Sequence, residues 1–309
     1  MTTWTDEKKE GWGIIFSIAG ILCFSLLEVT SKPFKGLISP LAVTSLRFFT
    51  GGIILLIFGF KTSLARGLFQ IKNVFKCFLL ASLGLNLSMG LLQIAVNHIP
   101  AGVAATIISS VPAFVPFFVW LIKKEPPSLK QMLIIISGLI GIALISFEGI
   151  QNLNYSITGI VLTLISAALF ALYSVLGVDF FKKFGPAGTL GLGAIWTGLS
   201  FLPFIYRNLP DPGLIIENWL RIAVLGIIVS GIGYLFYFKG IELLGPSRGA
   251  SFFFLKPCAA AVLSYKYLNE SFTALEITGM LIISAAVLFT GYNPKKTSLS
   301  SAAPPEGSS

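Results

Sequence analysis

Read along its length, the chain alternates between long apolar runs and short polar interruptions marked by proline or glycine. About 20 consecutive apolar residues, wound as a helix, cross about 30 Å of hydrocarbon. Ten such runs are present, at 11–31, 38–60, 75–97, 101–122, 129–148, 157–180, 187–206, 218–240, 247–267 and 274–292. Pro40, Pro100, Pro126, Pro186, Pro210, Pro246 and Pro294 punctuate the connections, where a residue without a backbone N–H interrupts a helix at least cost. No connection is long enough to hold a soluble domain. The pattern predicts an all-α membrane protein of ten transmembrane helices.

The pattern also repeats. Moving the chain along itself by 146 positions places Gly13 on Gly159, Phe24 on Phe170, Pro40 on Pro186, Gly52 on Gly198, Pro100 on Pro246 and Ala104 on Ala250. After one deletion the offset becomes 145, and Pro112 falls on Pro257, Glu125 on Glu270, Ser128 on Thr273 and Gln131 on Glu276. Each copy holds five runs, an odd number, so the second copy must enter the bilayer upside down relative to the first. Two inverted five-helix repeats with a site between them at the midplane are characteristic of secondary transporters. The expected organisation is a cytoplasmic tail over 1–10, repeats over 11–148 and 157–292, and a disordered cytoplasmic tail over 293–309.

Composition narrows the class further. Of 309 residues 55% are hydrophobic and only 11% charged, with a mean hydropathy of +0.86; soluble domains carry about a quarter charged residues. The excess of Lys and Arg (22) over Asp and Glu (13) would suggest nucleic acid in a soluble chain. Here its distribution explains it. With the N-terminus inside, cytoplasmic segments hold fifteen basic residues and outer segments five, which orients both termini to the cytoplasm of an inner (plasma) membrane. Cys23, Cys77 and Cys258 are odd in number and lie in apolar runs, so no disulfide framework is expected.

Ser39-Pro40 leading to Leu46-Arg47-Phe48, and Leu255-Lys256-Pro257 running to Asn269-Glu270, set on ten spans in two copies, resemble the drug/metabolite transporter superfamily, in particular its exporters with two EamA domains. The resemblance covers residues 11 to 292. It implies a basket-like bundle whose central cavity is lined by the first, third, fourth, sixth, eighth and ninth spans. It also implies transport of amino acids, drugs or other metabolites. The first run departs from the family, with Cys23-Phe24-Ser25 where Trp-Gly is common.

Three charges lie inside runs, and all three break the repeat: Lys256 falls on Val111, Glu28 on Ser174 and Arg47 on Gly193. A charge at that depth costs about 2.5–3.5 kcal/mol on insertion scales, so each is expected to face protein or a wet cavity. Lys256 reads either as a cation that binds an anionic cargo group or as a cap on the carbonyl that Pro257 leaves free. Glu28 reads as a proton-coupling carboxylate or as a solvated group near the outer end of its span. Arg47 reads as structural. Tyr234 and Tyr237, three apart on one helix face, form with Phe253 an aromatic wall, and Tyr173, Asn86 and Ser109 are further substrate-binding candidates. Pro112 and Pro257 occupy equivalent spans and read as hinges.

These features predict a secondary exporter of small organic metabolites, amino acids or related carboxylates, working by alternating access; a quaternary-cation exporter is the alternative. The lone histidine, His98, sits in a short turn, and no carboxylate or cysteine cluster has ligand spacing. An enzyme, a metal site and a cofactor are therefore not expected, and a channel is a remote alternative. The expected partners are a small-molecule substrate, the lipid bilayer and protons, with no nucleic acid, in a monomer or weak homodimer.

Overall fold

The computed structural model describes residues 6–151, 156–206 and 209–291. The expected tail 293–309 and the first five residues lie outside the described residues. Among the described residues the chain is helical throughout, without a strand. Ten helical rods follow one another, here named α1 (Asp6–Ser31), α2 (Pro40–Ala65), α3 (Ile71–Ala95), α4 (Ala101–Lys123), α5 (Leu129–Gln151), α6 (Ile157–Phe184), α7 (Pro186–Ile205), α8 (Trp219–Leu244), α9 (246–268) and α10 (Ala274–Gly291). All but α5, α9 and α10 are long and apolar enough to cross a membrane by length and composition. Several rods outrun the apolar pattern: α1 is already helical at Asp6, the first described residue, because Glu, Lys and Trp propagate a helix without being apolar.

Local signals set the ends. Ser39 accepts from the Ala42 N–H at 3.3 Å, with Pro40 in the first turn of α2. Gly185 (φ +89°) and Gly245 (φ +85°) turn the chain before Pro186 and Pro246. The repeat reappears in the caps. Gln131 accepts from Ser128 N–H at 2.8 Å and Ser128 Oγ from Gln131 N–H at 3.3 Å, opening α5. Glu276 and Thr273 make the same reciprocal pair at 2.9 and 3.3 Å, opening α10. Lys124 and Asn269, equivalent residues, end α4 and α9 in the left-handed conformation, with φ of 60° and 53°.

Packing follows a pseudo-twofold axis. α2 packs on α7 and α5 on α10, each helix against its own repeat mate. α1 packs on α8 as α6 packs on α3, and α4 on α6 as α9 on α1. Exchanging the halves maps these main contacts onto one another, and with five rods per half the two halves run in opposite senses. Close approach on the axis requires glycine: a Cβ on Gly52 would stand 2.7 Å from Ile195 N, and one on Gly191 would stand 2.5 Å from Leu56 N.

Candidate functional site

The axis passes through the helices that carry the breaks. α3 and α8 widen into π-helical turns over Ser82–Ser88 and Val224–Gly233. α4 breaks at Ser109-Ser110, where Ser110 N–H donates to Ile107 O at 3.0 Å, three residues back. α9 breaks at Phe252–Leu255, a short 3₁₀ turn. Pro112 and Pro257 start the helical segments after these breaks, since neither can donate to the turn before it. In α9 the Lys256 backbone N–H closes the turn onto Phe253 O. The carbonyl expected to be left free is thereby satisfied, and the Lys256 ammonium is not its cap.

That ammonium donates instead to Glu28 Oε1, across from α9 to α1, and both side chains are shut from solvent. Glu28 lies within a turn of the end of α1, yet it is fully buried and not solvated. Its second oxygen, Oε2, has no hydrogen-bond partner among the described residues. Arg47 is also buried; its Nη1 donates to Ser230 Oγ at 3.4 Å and its guanidinium sits 4.3 Å from the Phe48 ring centre. Arg47 Nε and Nη2 have no hydrogen-bond partner among the described residues. Lys256 and Arg47 each lie within electrostatic reach of Glu28 and of one another.

A small cavity of about 20 Å³ adjoins the pair. It is lined by α1 (Phe24, Leu27), α3 (Met89, Leu92), α4 (Ile108), α6 (Phe170), α8 (Val229, Tyr234) and α9 (Phe253, Lys256). Those are the six spans the resemblance implies. Phe24 and Phe170, repeat mates, face each other edge-on at 6.4 Å, and Tyr234 and Phe253 lie 4.9 and 5.7 Å from Phe24. That is room for about one water, so a cargo molecule would need the surrounding helices to part.

The other sequence-predicted residues lie elsewhere. Tyr237 stands behind the wall, 5.1 Å from the Phe253 ring, with its hydroxyl 3.4 Å from Ser174 Oγ. Tyr173 packs on Phe238 at 5.3 Å. Ser109 donates to Ala105 O within its own helix at 2.6 Å. Asn86 donates to Ser200 at 2.6 Å and lines a separate groove of about 450 Å³, with Leu41, Gly90 and Phe204, between α2, α3 and α7. Phe24 and Phe170 were not singled out by residue chemistry. Their matching register in the two repeats is the signal that marks them.

One end of the bundle is clasped. At the end away from Asp6, Glu270 accepts from the N–H groups of Ala101 and Gly102, the first turn of α4, at 3.0 and 3.1 Å. Lys32 donates to Val96 O and Ile99 O at 2.7 and 2.5 Å in the same region. At the opposite end the repeat mate Glu125 is exposed and makes no hydrogen bond. There Lys123 pairs with Asp179 at 3.2 Å and Arg248 with Glu10 at 2.6 Å.

Comparison with known proteins matches this architecture. The model of the EamA-like transporter family fits the chain twice, over residues 11–147 and 157–292. An uncharacterized transporter of Clostridium kluyveri is 26% identical over 302 residues, covering 92% of this chain and 94% of its own. The uncharacterized transporter YdfC of Bacillus subtilis is 28% identical over 258 residues, covering 82% of each. The uncharacterized inner membrane transporter YedA of Escherichia coli is 27% identical over 256 residues, covering 81% of each. A protein of known crystal structure shares the fold with a TM-score of 0.67 at 17% identity, over 90% of this chain and 95% of that one. The protein is an integral membrane transporter and belongs to the EamA-like transporter family.

Proposed function

We propose that the protein is a secondary carrier of the inner membrane, with both termini in the cytoplasm, that exports small organic carboxylates, amino acids among them. The observation that carries the reading is the ammonium of Lys256 at the edge of an aromatic cavity to which all six central helices contribute. A buried ammonium beside rings recognises a compound with an anionic group and an apolar body. Tyr234 and Phe253 hold the apolar part, with Tyr237 behind them. Asn86, Ser109 and Tyr173 take no direct part, because their side chains are engaged away from the cavity. An aromatic cavity with a carboxylate would also suit a quaternary cation, but the Lys256 ammonium already neutralises Glu28.

The two halves rock about the axis, opening the cavity to one side at a time. Pro112 and Pro257 mark the flexing points. Glu28 exchanges its ion pair for a proton during the cycle, which couples export to proton entry as antiport. The basic residues of the loops and the inner-membrane placement of YedA support the orientation. The unit is a monomer or a weak homodimer.

The test is flux in proteoliposomes with radiolabelled amino acids and simple carboxylates, with and without an imposed pH gradient. Saturable, gradient-driven flux of a carboxylate is expected, and Lys256→Gln should insert normally and lose it. Normal transport by that variant would remove Lys256 from the site.

A further inference from the structure

Two charges of one sign and one of the other are enclosed together: Lys256, Arg47 and Glu28. The bonds among them are incomplete in a complementary way. Glu28 bonds Lys256 through Oε1 and leaves Oε2 free. Arg47 leaves Nε and Nη2 free, and these two nitrogens form the side-on edge of the guanidinium. Two parallel N–H donors on that edge match the two oxygens of one carboxylate. A buried guanidinium with its fork unoccupied is too costly to keep without a use, because each unpaired charged donor retains its desolvation penalty.

The carrier reading gives that fork an occupant. If an anionic group of the cargo takes the Lys256 ammonium, the Glu28 carboxylate loses its partner inside a low-dielectric site. It must then take up a proton or find another cation. Three groups act on it: Lys256 from α9, Arg47 from α2 and the Tyr234 phenol from α8. Of these only Arg47 offers a free cationic fork. Ser230, which holds Nη1, sits in the π-helical turn of α8 one residue after Val229 of the cavity lining, while Arg47 itself borders a separate small space with Phe34, Ile38 and Leu225.

We propose that Arg47 is a second seat for the Glu28 carboxylate, occupied when the cargo's anionic group claims Lys256. The inference rests on the carboxylate reading of the cargo and adds a positioning role for a residue that otherwise reads as structural. Its consequence is mechanistic. With the second seat, Glu28 stays ionised while cargo is bound, so proton and cargo ride in separate halves of the cycle, as antiport requires. Without it, cargo could bind only together with a proton.

The seat can be tested without any cargo, by thermal unfolding of the purified full-length protein in detergent. In Lys256→Gln the carboxylate moves to Arg47, and in Arg47→Gln it stays on Lys256, so each variant should fold with a modest drop in midpoint. The double variant strips both seats, and its midpoint should fall several degrees beyond the sum of the single drops. Two changes should restore it: adding Glu28→Gln, or replacing Arg47→Gln by Arg47→Lys. Should the double variant not fold, recovery of folding on adding Glu28→Gln is the expected result. Additive single drops, failure of Lys256→Gln alone to fold, or no rescue by Glu28→Gln would each overturn the second seat. Because the cycle contains no cargo, its outcome is independent of flux: additivity with normal carboxylate flux removes only the seat, and synergy without such flux removes only the cargo class.

Discussion

Phe24 and Phe170 occupy the same register in the two repeats and meet across the cavity, so each presents a ring to whatever lies between them. An aromatic contact is worth about 0.5–1.5 kcal/mol beyond burial. Phe24→Leu and Phe170→Leu should therefore each raise the KM for an aromatic carboxylate by roughly three- to tenfold, with little change for an aliphatic one. Flux assays over a concentration series in proteoliposomes measure this directly. At this scale the sequence was legible where a residue violated its surroundings. Lys256, Glu28 and Arg47 stood out because charge does not belong in an apolar run. What could not be read was the pairing: Glu28 and Lys256 are 228 positions apart and meet only because α1 packs on α9. For the same reason Glu28 read equally well as a solvated group. Asn86, Ser109 and Tyr173 show the reverse problem, since a polar residue on a correct helix can satisfy itself on a neighbour or on its own backbone.

The carrier reading assigns movement to the elements that break. α4 and α9 interrupt their hydrogen-bond ladders at equivalent points, before Pro112 and Pro257. Alanine at either position would supply a backbone donor and allow a continuous helix. Pro257→Ala is expected to bind cargo with near-normal KM while turnover falls by about tenfold, as when a conformational step is slowed. The sequence placed both prolines by their positions in the repeat. It did not show that the turns before them tighten, because a proline also permits a static kink. The clasps were hidden for a different reason. Glu125 and Glu270 align in sequence, but only the structure shows Glu270 engaged on α4 and Glu125 free. A carboxylate on two N–H groups of a helix start is worth about 1–2 kcal/mol. Glu270→Gln should loosen that end. In protein with the three native cysteines replaced by serine, Leu27→Cys should then react faster with a membrane-impermeant thiol reagent added from the Glu270 side. Glu125→Gln, which removes no bond in this state, should not accelerate that reaction.

At the scale of the whole molecule, the repeat is what the sequence stated most clearly and what the packing most fully expresses. The five-run unit, its odd count and its matched caps require two halves of opposite sense, and the largest contacts between helices obey the exchange. Symmetry of the scaffold with asymmetry of the charges is the arrangement a carrier needs: two equivalent gates around one distinct site. The central claim is that the halves rock, so that closing one end opens the other. Electron–electron distance measurements on two spin-label pairs exchanged by the pseudo-twofold test it most directly: His98→Cys with Tyr267→Cys at the clasped end, and Leu244→Cys with Ile122→Cys at the other. On introducing Glu270→Gln, the first distance should lengthen while the second shortens. Both distances changing together, or the first changing alone, would contradict a rocking carrier.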